Sequence, residues 1–154
     1  MGDAFPADFR RKQIEQYLVP GAVLYLEVTF PEVTKNKYLV LVASSDDDCL
    51  NFIVNSETNA YIQNRQHLSV CQVTLDAANH SFLDYDSQVA CHDVLPIAKG
   101  EIVAALMADF SRYKGRISHA VKDNIVAAVK HAVTLTTIEQ REIVDSLESH
   151  FSSL

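Results

Sequence analysis

From Gly21 to Phe30 the chain alternates with a period of two. Leu24, Leu26, Val28 and Phe30 fall on one side and Val23, Tyr25, Glu27 and Thr29 on the other, which is the spacing of a strand with one buried face. Pro31 to Asn36 reads as a polar connection, and "KYLVLVAS" after it is a nearly continuous apolar run short enough for a central strand. "SSDDD" makes an acidic turn, and "LNFIVNS" alternates again with Leu50, Phe52 and Val54 in step. "LSVCQVTL" and "SQVACHDVLPI" predict two further strands, while Glu57 to His67 is polar and fits either a long loop or a short helical turn. Five short strands without helices between them indicate a small, strongly curved antiparallel sheet or barrel.

The period changes at both ends. Asp8 to Tyr17 reads as a short helix capped by Asp8 and ended by Pro20 and Gly21, with Phe9, Ile14 and Tyr17 on its apolar side. After Ile97 the apolar residues recur four apart: Ile102, Leu106 and Phe110, then Val121, Ile125, Val129 and Val133. Thr136 and Glu139 have the spacing of a capping box, opening a last helix with Ile143, Leu147 and Phe151 on its apolar side. The expected plan is α+β: a barrel domain with its N-terminal helix over residues 1–96, and a C-terminal extension of about three helices over residues 97–154.

Composition narrows the class. A 154-residue chain with 48% hydrophobic and 21% charged residues can bury a core of its own. No run approaches the roughly 18 apolar residues of a membrane span, and "MGDAFPADFRRKQ" lacks the apolar centre of a secretory signal, so a cytoplasmic location without membrane association is expected. Three widely spaced cysteines fit a reducing compartment better than a disulfide framework. The net charge of -7 resides in the first part: up to Pro96 there are 6 Lys+Arg against 13 Asp+Glu, and from Ile97 onward 7 against 7. A polyanionic ligand must therefore be met by a local patch.

The stretch "FLDYDSQVACHDV" concentrates acids, a Ser, a Cys and a His. Its periodicity favours architecture over chemistry, with Asp84, Asp86 and Ser87 in a turn that delivers Val89 and Cys91 to one face of a strand and His92 to the other. Adjacent Cys91 and His92 cannot share an ion in that geometry, and no C-x2-C or H-x3-H spacing exists, so neither a metal nor any other cofactor is expected. The three carboxylates Asp46 to Asp48 read as a solvated turn, and the basic "RYKGR" as a polar interhelical loop.

The order of "PGAVLYLEVTF", a lysine-bearing loop, "KYLVLVAS", an acidic turn, "LNFIVNSE" and "FLDYDSQVACHDVLPI" resembles the PemK/MazF-like proteins, SH3-like barrels of bacterial toxin–antitoxin systems. The tail "KGRISHAVKDNIVAAVKHAVTLTTIEQREIVDSL" is similar to the helical endings of longer relatives. That resemblance implies an SH3-like barrel and an endoribonuclease that cleaves single-stranded RNA without a metal, by attack of a ribose 2′-hydroxyl on the adjacent phosphate. Such chemistry needs a cation to neutralise the phosphorane and polar groups to move protons. In the family an Arg-Pro pair opens the second strand, where this chain has Lys37 and Tyr38, and a Ser or Thr follows the third, where it has Ser56 and then Thr58. Lys37, Ser56 and His92 are thus the implied catalytic residues, and Lys35, Thr58 and Arg65 the implied RNA contacts. Lysine neutralises a phosphate as a point charge, without arginine's bidentate fork. The resemblance also implies a cognate antitoxin or other protein partner, and a homodimer. The acidic barrel and the missing Arg point instead to a non-catalytic binding protein on the same barrel.

Overall fold

A computed structural model describes residues 4–56 and 60–154, with side chains described for 7–56 and 62–154. Seven strands form one antiparallel sheet: β1 (Ala22–Thr29), β2 (Thr34–Ser44), β3 (Asp48–Asn55), β4 (Gln72–Leu75), β5 (Ser87–Ala90), β6 (Leu95–Ala98) and β7 (Tyr113–Arg116). The ladder runs β4-β5-β3-β2-β1-β7, and β6 pairs with β3 beside β5. Register shifts between Leu41 and Ala43 and between Val23 and Leu24 interrupt the ladder, and such bulges bend and twist the strands that carry them. The fold is α+β with a curled antiparallel sheet whose edges, β4 and β7, do not pair.

Helices cover both faces. These are α1 (Ala4–Glu15), the four-residue α2 (Ala60–Gln63) and α3 (Gln66–Ser69), α4 (Lys99–Ala108), α5 (His119–Lys130) and α6 (Thr137–Ser152). On one side Leu24, Leu26, Leu39 and Leu41 pack with Ile14 and Leu18 and with Ile102 and Leu106 of α4. On the other, Val23, Val40, Phe52, Val54 and Val89 pack with Val121, Ile125 and Val129 of α5 and Ile143, Leu147 and Phe151 of α6. This explains why β2 reads as a continuous apolar run: Leu39 to Ala43 are buried in alternation against two helical layers.

Several elements differ from expectation. There are seven strands because "SQVACHDVLPI" divides at residues 91–94 into β5 and β6, both on the outer edge of β3, and because Tyr113–Arg116 forms β7 against β1. Buried Asn51 fixes the first of these breaks, its Nδ2 donating to the carbonyls of Cys49 and Leu95 at 3.2 Å each. β2 starts at Thr34, so Lys35, expected in the connection, is a strand residue, as Lys37 was expected to be. Helix α1 begins at Ala4, ahead of Asp8, and Tyr17 follows its end. Phe110 lies in a 3-10 turn beyond α4, and Val133, 77% exposed, lies beyond α5. The boundary expected at residue 96 falls inside β6, and the segment after it supplies β7 to the sheet.

Other expectations hold. Thr136 and Glu139 form the reciprocal capping box of α6, and Val89 and Cys91 share the buried face while His92 lies off it. The turn in "FLDYDS" is tied down by polar groups: Asp86 Oδ1 accepts from the Ala77 amide at 2.8 Å, and His80, 2% exposed, bridges the Asp76 carbonyl at Nδ1 (2.7 Å) and the Ser118 amide at Nε2 (3.1 Å). With Nδ1 donating and Nε2 accepting, a neutral ring saturates both backbone groups and links this loop to the start of α5.

Candidate functional site

Lys37 and Tyr38 are neighbours on β2, so their side chains leave opposite faces of the sheet. At the end where β1, β2 and β3 finish together, each face carries a concavity, and Lys37 lines both. The smaller recess, about 210 Å³, is walled by Tyr25, Asn36, Tyr38, Ser56 and Asp84, with buried Ser87 at its base. Its shape comes from aromatic packing: Tyr25 and Tyr38 rings lie 4.7 Å apart, and Tyr38 donates its hydroxyl to the Phe82 carbonyl at 3.2 Å. Arg112 braces two of the wall residues, its Nη1 donating to the Tyr25 carbonyl at 2.9 Å and to Asn36 Oδ1 at 3.0 Å. The Tyr38 phenol titrates above its usual range, first because it is partly buried and then because Tyr25, Asp84 and Tyr85 surround it.

The larger cleft, about 650 Å³, lies on the other face. Val28, Ile53, Val94 and Leu95 form an apolar floor, and Phe30, Lys35, Lys37, Asn55 and His92 rise around it. Lys35 Nζ sits 5.6 Å from the Phe30 ring centroid, within cation–π range. Lys37 Nζ donates to Asn55 Oδ1 at 2.8 Å, a contact made possible because the two residues stand next to each other across the β2–β3 ladder. Burial, and then the Lys35 charge, lower the pKa of Lys37. His92 is half-buried, its Nδ1 3.4 Å from Gln72 Nε2. Burial is also the main force lowering the His92 pKa; His67 adds to it and Asp93 opposes it. Glu32 and Asp93 complete the wall, so the cleft is of mixed charge.

Lys37 and Ser56 both border the recess, with the Lys37 ammonium turned to Asn55 on the cleft side, and Lys35, Lys37 and His92 line one cleft. The structure does not bring His92 to Ser56: the two line different faces. Arg65, exposed at the start of α3, lines neither concavity, and Thr58 lies outside the described residues. Sequence reasoning missed Asn36, Asn55, Tyr25 and Asp84. Asp84 was legible only as a turn residue, and its place beside Tyr38 depends on the closure that brings Phe82, 44 residues on, to the Tyr38 hydroxyl, which no local pattern reports. Among the described residues no group of three or more His, Cys, Asp or Glu could hold a metal ion. The three cysteines are buried and free, and burial pushes their thiols up, Cys91 most strongly; such thiols are poor nucleophiles. Among the described residues no helix is long and apolar enough to cross a membrane.

No protein-family model matches the chain, and a search of curated proteins finds no match. The functional reading therefore rests on the residues and their geometry.

Proposed function

We propose that this chain is an SH3-like barrel of the PemK/MazF type that binds single-stranded RNA across the end of its sheet and cleaves it without a metal. The observation that carries the reading is the position of Lys37, shared by the recess that holds Ser56 and the cleft that holds Lys35 and His92. A strand crossing from one face to the other passes Lys37 midway. In the cleft, Phe30 offers a face on which a base stacks and Lys35 a charge for its phosphate. In the recess, the ribose 2′-oxygen attacks the neighbouring phosphorus and the bond to the 5′-oxygen breaks. This leaves a 2′,3′-cyclic phosphate and a 5′-hydroxyl. Lys37, turning from Asn55 over the end of the sheet, offsets the charge that develops on the phosphorane, Ser56 donates to a non-bridging oxygen, the Asp84 carboxylate takes the 2′-hydroxyl proton, and a water gives a proton to the departing 5′-oxygen. His92, on the other face, contacts the incoming strand.

One observation favours a second reading, RNA binding without cleavage. The Lys37 ammonium is already committed to Asn55 and its pKa is lowered, so less cationic character is free for a phosphorane.

The binding step shared by both readings is tested by fluorescence anisotropy of a labelled single-stranded RNA at several salt concentrations. Lys35→Ala and Lys37→Ala should each weaken binding and reduce the salt slope by about one. Unchanged affinity in both variants, or equal affinity for duplex DNA, would remove RNA from the account.

A further inference from the structure

Of the three cations in "RYKGR", two are engaged by the fold. Arg112 donates to the Tyr25 carbonyl and to Asn36, and Arg116 packs its guanidinium 5.7 Å from the Phe151 ring centroid. Lys114 is left between them. Val23 pairs with Gly115 and Leu24 with Tyr113, so Lys114 is an extra residue on β7 with no partner on β1. Gly115 permits this bulge by taking φ +144°, which residues with a Cβ rarely adopt. A bulge re-aims the side chain it carries, and bulges are frequent beside sites of chemistry.

Here the bulge abuts two aromatic residues that shape the recess. Lys114 Nζ lies 5.7 Å from the centroid of the Tyr25 ring, which is a wall of the recess. A Cβ at Gly115 would meet the Phe82 ring at 3.5 Å, and the Phe82 carbonyl takes the Tyr38 hydroxyl. Half-buried Lys114 makes no ion pair among the described residues. Asp109, whose carboxylate feels its charge, bonds to Ser111 instead. The Lys114 ammonium is thus beside the recess wall and uncommitted, whereas that of Lys37 is bonded to Asn55. Lys35 over Phe30 in the cleft and Lys114 over Tyr25 at the recess are equivalent pairs of cation and aromatic ring, one on either side of Lys37.

We propose that Lys114 is a further phosphate contact on the RNA path, binding the phosphate next to the cleaved one on the side away from Lys35. This rests on the RNA reading above and extends it: the bound strand runs from Lys35, past Lys37 and the recess, to β7. The Tyr25 ring holds the ammonium at the recess wall before RNA arrives, so little side-chain freedom is lost on binding. An ammonium meets every phosphate alike, so Lys114 adds affinity and a dependence on RNA length, and no base preference.

Fluorescence anisotropy of labelled single-stranded RNAs with the intact protein tests this. Lys114→Met keeps an unbranched stem over Tyr25 without the charge, and Lys114→Arg keeps the charge. Lys114→Met should weaken binding about five- to tenfold at about 0.1 M salt and lower the salt slope by about one, and Lys114→Arg should restore both. Combined with Lys35→Ala, the slope should fall by about two, because the two lysines meet different phosphates. Shortening the RNA from one end should abolish the effect of Lys114→Met while that of Lys35→Ala remains. If Lys35→Ala weakens binding and Lys114→Met leaves affinity and slope unchanged, the role of Lys114 is overturned and the RNA reading stands. A loss of affinity in Lys114→Met at unchanged slope, or one that Lys114→Arg does not restore, would reduce Lys114 to packing on Tyr25 and overturn the proposal as well. A parent protein that binds no RNA would end both readings.

Discussion

The ammonium of Lys37 donates to Asn55 while half-buried and close to Lys35, so its charge is held by one neighbour and opposed by another. Burial and the Lys35 charge both favour the neutral amine. Lys35→Ala removes the second of these causes. Titration of the Lys37 Cε resonance by NMR should then give a higher pKa than in the parent protein. An unchanged or lower value would mean that the two lysines do not interact across the strand, and the shared-charge description of the cleft would fail. This pair was legible in the sequence as residue types, because "TKNKY" places both lysines on one side of any extended chain. Their partner was not: Asn55 is 18 residues away and meets Lys37 only through the β2–β3 register.

At the scale of elements, legibility followed periodicity. Strands β1, β2 and β3 and the faces of α5 and α6 could be read because buried apolar residues repeat at 2.0 or near 3.6 over several turns of pattern. β6 and β7 could not be read as separate strands, because they owe their existence to the edges they find on β3 and β1. "YKGR" has no apolar alternation, and every residue in it is half-buried. Local capping was the opposite case. Thr136 Oγ1 accepts from the Glu139 amide at 3.0 Å and Glu139 Oε1 from the Thr136 amide at 2.9 Å, as the T-x-x-E spacing predicts. Thr136→Ala should cost about 0.5–2 kcal/mol of stability in chemical denaturation, with a smaller loss for Thr136→Ser. Equal losses for the two substitutions would show that the methyl group, and not the hydroxyl, is what matters there.

For the whole molecule, the sheet lies between two helical layers, and burial leaves two histidines with lowered pKa values: His92 in the wall of the larger cleft, and His150 on α6. In each case the folded protein resists a proton that the unfolded chain accepts near the ordinary imidazole value of 6.5. The unfolded state therefore binds more protons as pH falls through that value, and stability declines. Melting temperature in phosphate-free buffer should drop between about pH 7 and pH 5, and His92→Gln with His150→Gln should flatten the drop. A parent protein equally stable across this window would contradict the burial of both rings. The carboxylates of Asp76, Asp109 and Asp123, held below their usual range by hydrogen bonds, act in a separate and more acidic window. Their contribution is lost only as pH falls below the ordinary carboxylate value of 3.8.

The central claim is that the recess shared by Lys37 and Ser56 directs a ribose 2′-oxygen at its own phosphate, and one assay reaches it directly. A single-stranded RNA is incubated with the protein in EDTA and the cut sites are mapped by primer extension. The same RNA carrying one 2′-deoxy nucleotide at the main site is then compared. The account predicts discrete cuts in EDTA that leave a cyclic phosphate, vanish at the deoxy position alone, and are lost in Lys37→Ala and Ser56→Ala. Cutting that persists through the deoxy nucleotide or in both variants, or the absence of any cut by folded protein that binds the RNA, would contradict it.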